Sequence, residues 1–100
     1  MLNIKKKSEG TKLTFVLEGR LDTETSHLLD DEVAGIPDIV VDLVFDMDDL
    51  EYVSSSGLRV LLVAAKIMND RGGTCSMVNV PELIRETFEI TGLTNVFTIA

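Results

Sequence analysis

The sequence predicts an α/β domain, a mixed β-sheet with helices packed against it in the order β-β-α-β-α-β-α-β. Two short strand-like runs open the chain around a glycine turn, so the first two strands form a hairpin. Beyond them, helix-period and strand-period apolar patterns take turns to the end of the chain. The 100 residues, 45% of them hydrophobic, supply one core and too little material for two, so a single domain over residues 1–100 is expected.

Taken in order, Leu2 to Ser8 and Lys12 to Glu18 are the hairpin strands, with Glu9-Gly10 as the turn signal. Lys5-Lys6-Lys7 falls in the first of them, where lysines protect a sheet edge from stray pairing, and no binding role is assigned to it. After Gly19-Arg20-Leu21-Asp22-Thr23, the i, i+4, i+7 spacing of Leu29, Val33 and Ile36 predicts a helix. Asp22 or Thr23 is its expected N-cap, and Gly35 and Pro37 stop it. Residues 39–45 form a nearly continuous β-branched and apolar run, the pattern of a strand covered on both faces or central in a sheet. An acidic stretch from Asp46 to Glu51 is expected to be a loop leading through Tyr52-Val53 to Ser54-Ser55-Ser56-Gly57. There a second helix begins, with Leu58, Leu61, Leu62, Ala65 and Met68 on one face and Gly72-Gly73 at its end. Thr74 to Val80 is a further strand. Pro81 opens a third helix with Ile84 and Phe88 inward and Gly92 as terminator, and Val96 to Ile99 is the last strand.

Charge narrows the function. Nine basic residues against 17 acidic give a formal net charge of −8, which repels both phosphate backbones and anionic lipid headgroups, so neither nucleic acid nor a membrane surface is an expected partner. The lone Cys75 cannot form an internal disulfide, and the N-terminal stretch MLNIKKKSEG has no signal-peptide core. A reducing, cytoplasmic location is expected.

The serines carry the functional signal. Ser54-Ser55-Ser56-Gly57 places hydroxyls in the first turn of a helix, where backbone N–H groups lack intrahelical partners, and a serine there commonly acts as an N-cap and nothing more. Its surroundings add to that. The stretch from Val40 to Leu62, an apolar strand followed by Tyr52-Val53-Ser54-Ser55-Ser56-Gly57-Leu58 and an apolar helix, resembles the central motif of STAS-domain anti-sigma factor antagonists. Leu17-Glu18-Gly19-Arg20-Leu21-Asp22 resembles the turn after that family's second strand, and residues 80–93 resemble its final helix, so the likeness runs in order through the whole chain.

The resemblance implies a STAS-like fold and a non-enzymatic protein-binding switch without cofactor. The family motif is Asp-Ser-Ser-Gly with the first serine phosphorylated, which implies Ser55 as phosphoacceptor and leaves Ser54 in the place of the aspartate. Asp22, Ser54, Ser55, Ser56, Gly57 and Leu58 are then the expected partner-binding residues. The implied partners are an anti-sigma factor serine kinase of the histidine-kinase-like ATPase type and a phosphatase that reverses its action. A STAS domain serving another signalling or transport-linked assembly, without use of the serine, is the alternative.

Other constellations have plainer explanations. Asp46-Met47-Asp48-Asp49-Leu50-Glu51 lacks the glycine and ligand periodicity of an EF-hand, and no metal site is assigned. A triad of His27, Asp22 and Ser55 lacks a nucleophile elbow, and His27 is expected on a helix surface. Cys75, Met47, Met68 and Met77 are expected in the core.

Overall fold

The computed structural model describes residues 1–92 and 97–99. Its elements are β1 (Leu2–Glu9), β2 (Lys12–Leu21), α1 (Ser26–Ala34), β3 (Asp42–Val53), α2 (Ser55–Asp70), β4 (Thr74–Val78), α3 (Glu82–Ile90) and β5 (Thr98–Ile99). The element order is the predicted one. Val96, expected to begin the last strand, lies outside the described residues.

The strands stand side by side as β1-β2-β3-β4-β5, with β1 antiparallel to β2 and every later pair parallel. Each crossover therefore steps to the next strand in the same direction, and right-handed connections then place all three helices on one face. Burial agrees. Leu13, Leu43 and Cys75 form one buried row across β2, β3 and β4, and Phe15, Phe45 and Met77 form the next. The intervening residues Thr14, Val16, Val44 and Ser76 are only half-buried on the opposite face. Of the two expectations for residues 39–45, central position holds, because β3 lies between β2 and β4.

Ile39 to Val41 nevertheless precede the strand. Ile39 is exposed and Val40 is buried, and the segment is held by Arg71 at the end of α2, whose guanidinium donates to the Pro37 and Val40 carbonyls at 2.8 Å each. Lys5–Lys7 lie on β1, an outer strand of the sheet.

The segment Asp46–Glu51 is strand and not loop. β3 continues to Val53, and its pairing with β2 slips twice, once between Val16 and Glu18 and once between Gly19 and Arg20. At each slip β3 carries one extra residue, a β-bulge that breaks the two-residue alternation and increases twist. Met47, Leu50 and Val53 are consequently buried at every third position, with Asp48, Asp49, Glu51 and Tyr52 outside. β2 likewise runs three residues beyond its predicted end, to Leu21.

The start of α1 also differs. Its N-cap is Thr25, neither Asp22 nor Thr23, because the chain first makes a turn held by the Asp22 carboxylate, which accepts from the backbone N–H groups of Glu24 at 3.1 Å and Thr25 at 3.0 Å. Ile36 is buried but lies past the helix end at Ala34. At β4, Asn79 takes a left-handed conformation (φ 55°) and ends the strand at Val78.

Candidate functional site

The carboxyl ends of β2 and β3 and the first turn of α2 meet at one end of the sheet. Leaving β3, Ser54 is still extended (φ −92°, ψ 173°), and its N–H donates to the Leu21 carbonyl at 2.8 Å, adding a last rung beyond the β2–β3 ladder. Its carbonyl accepts the first helical bond from Leu58 N–H at 2.9 Å, and its Oγ accepts from Gly57 N–H at 3.1 Å. Ser54 is thus a complete N-cap. It is also buried, at 8% exposure, and is the one buried polar residue among those described.

One residue later the chain is in the helix, and Ser55 is exposed. Ser56 is half-buried, and Gly57 and Leu58 are buried. Gly57 sits where a side chain has no room: a Cβ there would stand 2.7 Å from Leu21 Cγ and 2.9 Å from the Leu21 carbonyl oxygen. The expected site residues therefore divide by position. Ser55 faces outward and Ser56 is half-buried, while Ser54 and Gly57 hold the first turn against Leu21 of β2 and Leu58 lies in the core.

Asp22 follows Leu21 directly, so the hydrogen bond from Ser54 brings it to the same end of the sheet. Partial burial opposes its ionisation, but hydrogen bonds from Thr25 backbone and side chain and from Glu24 backbone outweigh that and hold the carboxyl below its ordinary value. The Thr25 hydroxyl lies 2.7 Å from the Arg20 carbonyl and 3.1 Å from the Asp22 carboxylate. Arg20 lies with its guanidinium 4.4 Å from the centroid of the Tyr52 ring and its Nε 3.7 Å from Asp22 Oδ2.

Two of these neighbours, Arg20 and Tyr52, were absent from the expected site because they become adjacent only through the bulged β2–β3 register. So were Arg59 and His27. A groove between α1 and α2 is lined by Ser26, His27 and Asp30 on one side and by Ser56, Arg59 and Val60 on the other. His27 is exposed there, as expected for a surface histidine.

Little of the acidic segment lies near Ser55. With β3 extended at about 3.3 Å per residue, Asp48 is drawn roughly 20 Å from Ser55, beyond a Debye length of about 8 Å at physiological salt. Asp46, Asp48 and Asp49 are too far along the strand to influence a phosphate there; Glu51 and Asp22 are nearer. Asp46 accepts from the Asp48 N–H and the Asn79 side-chain amide, both at 3.2 Å. Cys75 is in the core as expected, and burial pushes its thiol up to about 12, which leaves it protonated and unreactive at neutral pH. No helix among the described residues is long and apolar enough to cross a membrane.

Comparison with known proteins is consistent with this geometry. The chain is 33% identical over 89 residues to BtrV of Bordetella bronchiseptica, which carries an anti-sigma factor antagonist name; the match covers 88% of this chain and 77% of that one. It is 24% identical over 99 residues to the anti-sigma-B factor antagonist of Bacillus subtilis, covering 99% and 91%. The fold matches the Bacillus protein SpoIIAA in its unphosphorylated form with TM-score 0.81 at 16% identity, covering 100% of this chain and 88% of that one. The phosphorylated form matches with TM-score 0.77 at 17% identity, covering 100% and 91%. The STAS domain family model matches residues 3–100, so the capped serine turn, the one-sided sheet and the likeness to antagonist proteins meet in one assignment: the chain belongs to the STAS domain family.

Proposed function

We propose that this protein is an anti-sigma factor antagonist that captures an anti-sigma factor with the surface around Ser55 and is switched off by phosphorylation of that serine. The observation that carries the reading is the exposed Ser55 hydroxyl, set one residue beyond a buried N-cap at the start of α2. It is supported by relatives that bear antagonist names and by SpoIIAA, a structural neighbour with both unphosphorylated and phosphorylated forms. The partner is an anti-sigma factor with serine kinase activity, of the histidine-kinase-like ATPase type. The protein itself is a binding module and not an enzyme.

In the switching step the Ser55 oxygen forms a bond to the γ-phosphorus of ATP, the bond from that phosphorus to the β,γ-bridging oxygen breaks, ADP leaves, and the hydroxyl proton passes to the kinase or to water. A phosphatase reverses the state with water, giving serine and inorganic phosphate. The domain tolerates the product, since a charge of about −1.5 to −2 at a helix N-terminus is favoured by the unpaired N–H groups and the dipole. The partner does not, because a surface that packs on neutral serines must then desolvate a dianion. Capture is lost while the fold remains.

The test is to identify the bound partner by pull-down, incubate it with the protein and ATP, and locate the phosphate by site-resolved mass spectrometry. A small ATPase and phosphate on Ser55 alone are expected. Phosphate confined to Ser54, or none from a kinase that binds, would overturn the assignment. A pull-down that yields another assembly and no ATPase would favour a STAS interaction module that does not use the serine.

A further inference from the structure

The position of Arg59 suggests how the phosphate acts once it is in place. Ser55 is the first residue of α2, and Arg59 is four residues on, so their side chains share one face of the helix with Cβ atoms roughly 5–6 Å apart. Both are exposed. Among the described residues Arg59 has neither an ion pair nor a side-chain hydrogen bond, whereas Arg20 is engaged by Tyr52 and Asp22, and Arg71 by backbone carbonyls. The α1–α2 groove joins Arg59 to Ser56, His27 and Asp30, so this guanidinium stands on the surface assigned to the partner.

We infer that Arg59 is the intramolecular receptor of the Ser55 phosphate, and that phosphorylation silences the partner surface in two ways, by adding a dianion and by withdrawing Arg59 from the partner. In the free serine state Arg59 is available to an acidic group of the partner, in a protein that otherwise carries a net charge of −8. In the phosphorylated state the planar guanidinium meets phosphate oxygens one helical turn away, a charge-assisted and potentially bidentate pairing. Asp30 across the groove competes for Arg59 with a single charge, and the dianion on the same helix face outcompetes it. This inference rests on the Ser55 assignment proposed above.

The test installs phosphoserine at position 55 by semisynthesis, so that no kinase is needed, and follows the phosphate by ³¹P NMR as a function of pH in wild type, Arg59→Gln and Arg59→Lys. The series is repeated with His27→Asn, which removes the imidazole that lines the same groove. The helix dipole is common to all variants. With Arg59 in place the second phosphate pKa should lie lower than in Arg59→Gln by roughly half a unit, a threefold change in ionisation constant, with Arg59→Lys between them and the difference shrinking at high salt. Unphosphorylated Arg59→Gln should also bind the anti-sigma factor about tenfold more weakly than wild type. Coincident phosphate titrations in wild type and Arg59→Gln would overturn the receptor role, and undiminished partner binding by Arg59→Gln would overturn the withdrawal. Failure of the Ser55 assignment gives a different result: installed phosphoserine would leave partner binding unchanged in every variant.

Discussion

Replacing Gly57 by alanine sets two effects against each other. Alanine is the better helix former by up to about 1 kcal/mol in a helix interior, and less than that in a first turn. Against it, the new methyl would stand 2.7 Å from Leu21 Cγ and 2.9 Å from the Leu21 carbonyl oxygen, where ordinary heavy-atom contact is about 3.5–4.0 Å. Neither neighbour yields cheaply. Leu21 is fully buried, and its carbonyl is fixed by the 2.8 Å bond from Ser54 N–H. Overpacking of this kind costs about 1–3 kcal/mol, so the expected net loss is about 1–2 kcal/mol, or roughly 5–15 °C in Tm for a domain of this size. Denaturant titration would measure it, with Ser56→Ala in the same turn as a control expected to stay within about 0.5 kcal/mol of wild type. Because the strain falls on the turn that presents Ser55, partner capture should weaken beyond what the lost stability explains. If Gly57→Ala proves as stable as wild type, the close approach of α2 to β2 is not what holds the site, and the reasoning is wrong.

Ser54→Ala removes the cap and leaves the buried Gly57 N–H without its acceptor, for an expected loss of about 1–2 kcal/mol, whereas Ser54→Asp keeps an N-cap acceptor and should lose much less; equal losses in the two would deny the capping role. Asp22 has a folded pKa below its unfolded one, so its ionised form stabilises the fold above about pH 4, and that contribution disappears as pH falls through the folded value. Asp22→Asn should accordingly lower stability above about pH 4 and flatten the acid limb of the curve while leaving the shape of its neutral and alkaline limbs unchanged, and an unchanged acid limb would refute this. Ser55→Asp should abolish or greatly weaken anti-sigma factor binding with Tm nearly unchanged or slightly raised, because negative charge at a helix N-terminus is favourable by about 0.3–1 kcal/mol; a large fall in Tm would mark Ser55 as a structural residue.

The element order was legible because most elements bury a single stripe: Leu29 and Val33 on α1, Leu58, Leu61 and Met68 on α2, Ile84 and Phe88 on α3, and alternate residues on β2 and β4. Legibility failed where the period itself changes. Two bulges convert the second half of β3 to burial at every third residue, and a charged segment with that spacing has the look of a loop. At the site, the serine turn was readable as a local motif, since N-cap chemistry lies within four consecutive residues. Arg20, Tyr52, His27 and Arg59 were not, because their relation to it depends on strand register and on how α1 packs against α2. Asp22 was readable as a capping residue, but which backbone groups it would cap was settled by a turn that places the helix N-cap, Thr25, three residues later than Asp22 itself.

Three consecutive serines have three different surroundings here, and their differences explain why a switch can be placed at this point of the fold. Ser54 is committed on every side: its N–H to β2, its Oγ and its carbonyl to α2. A phosphate on it would have to enter a site that is 8% exposed and would break the bond that caps the helix. Ser56 lies partly inside the α1–α2 groove, where added bulk meets His27 and Asp30. Ser55 alone combines exposure with the favourable end of a sixteen-residue helix and, among the described residues, with no structural hydrogen bond from its side chain. Modification there changes the charge that a partner meets and almost nothing that the fold depends on. The rigidity of Ser54 and Gly57 is what allows the freedom of Ser55, because a turn anchored to Leu21 by one hydrogen bond and one close contact presents its next side chain in a fixed direction whether or not that side chain carries a phosphate.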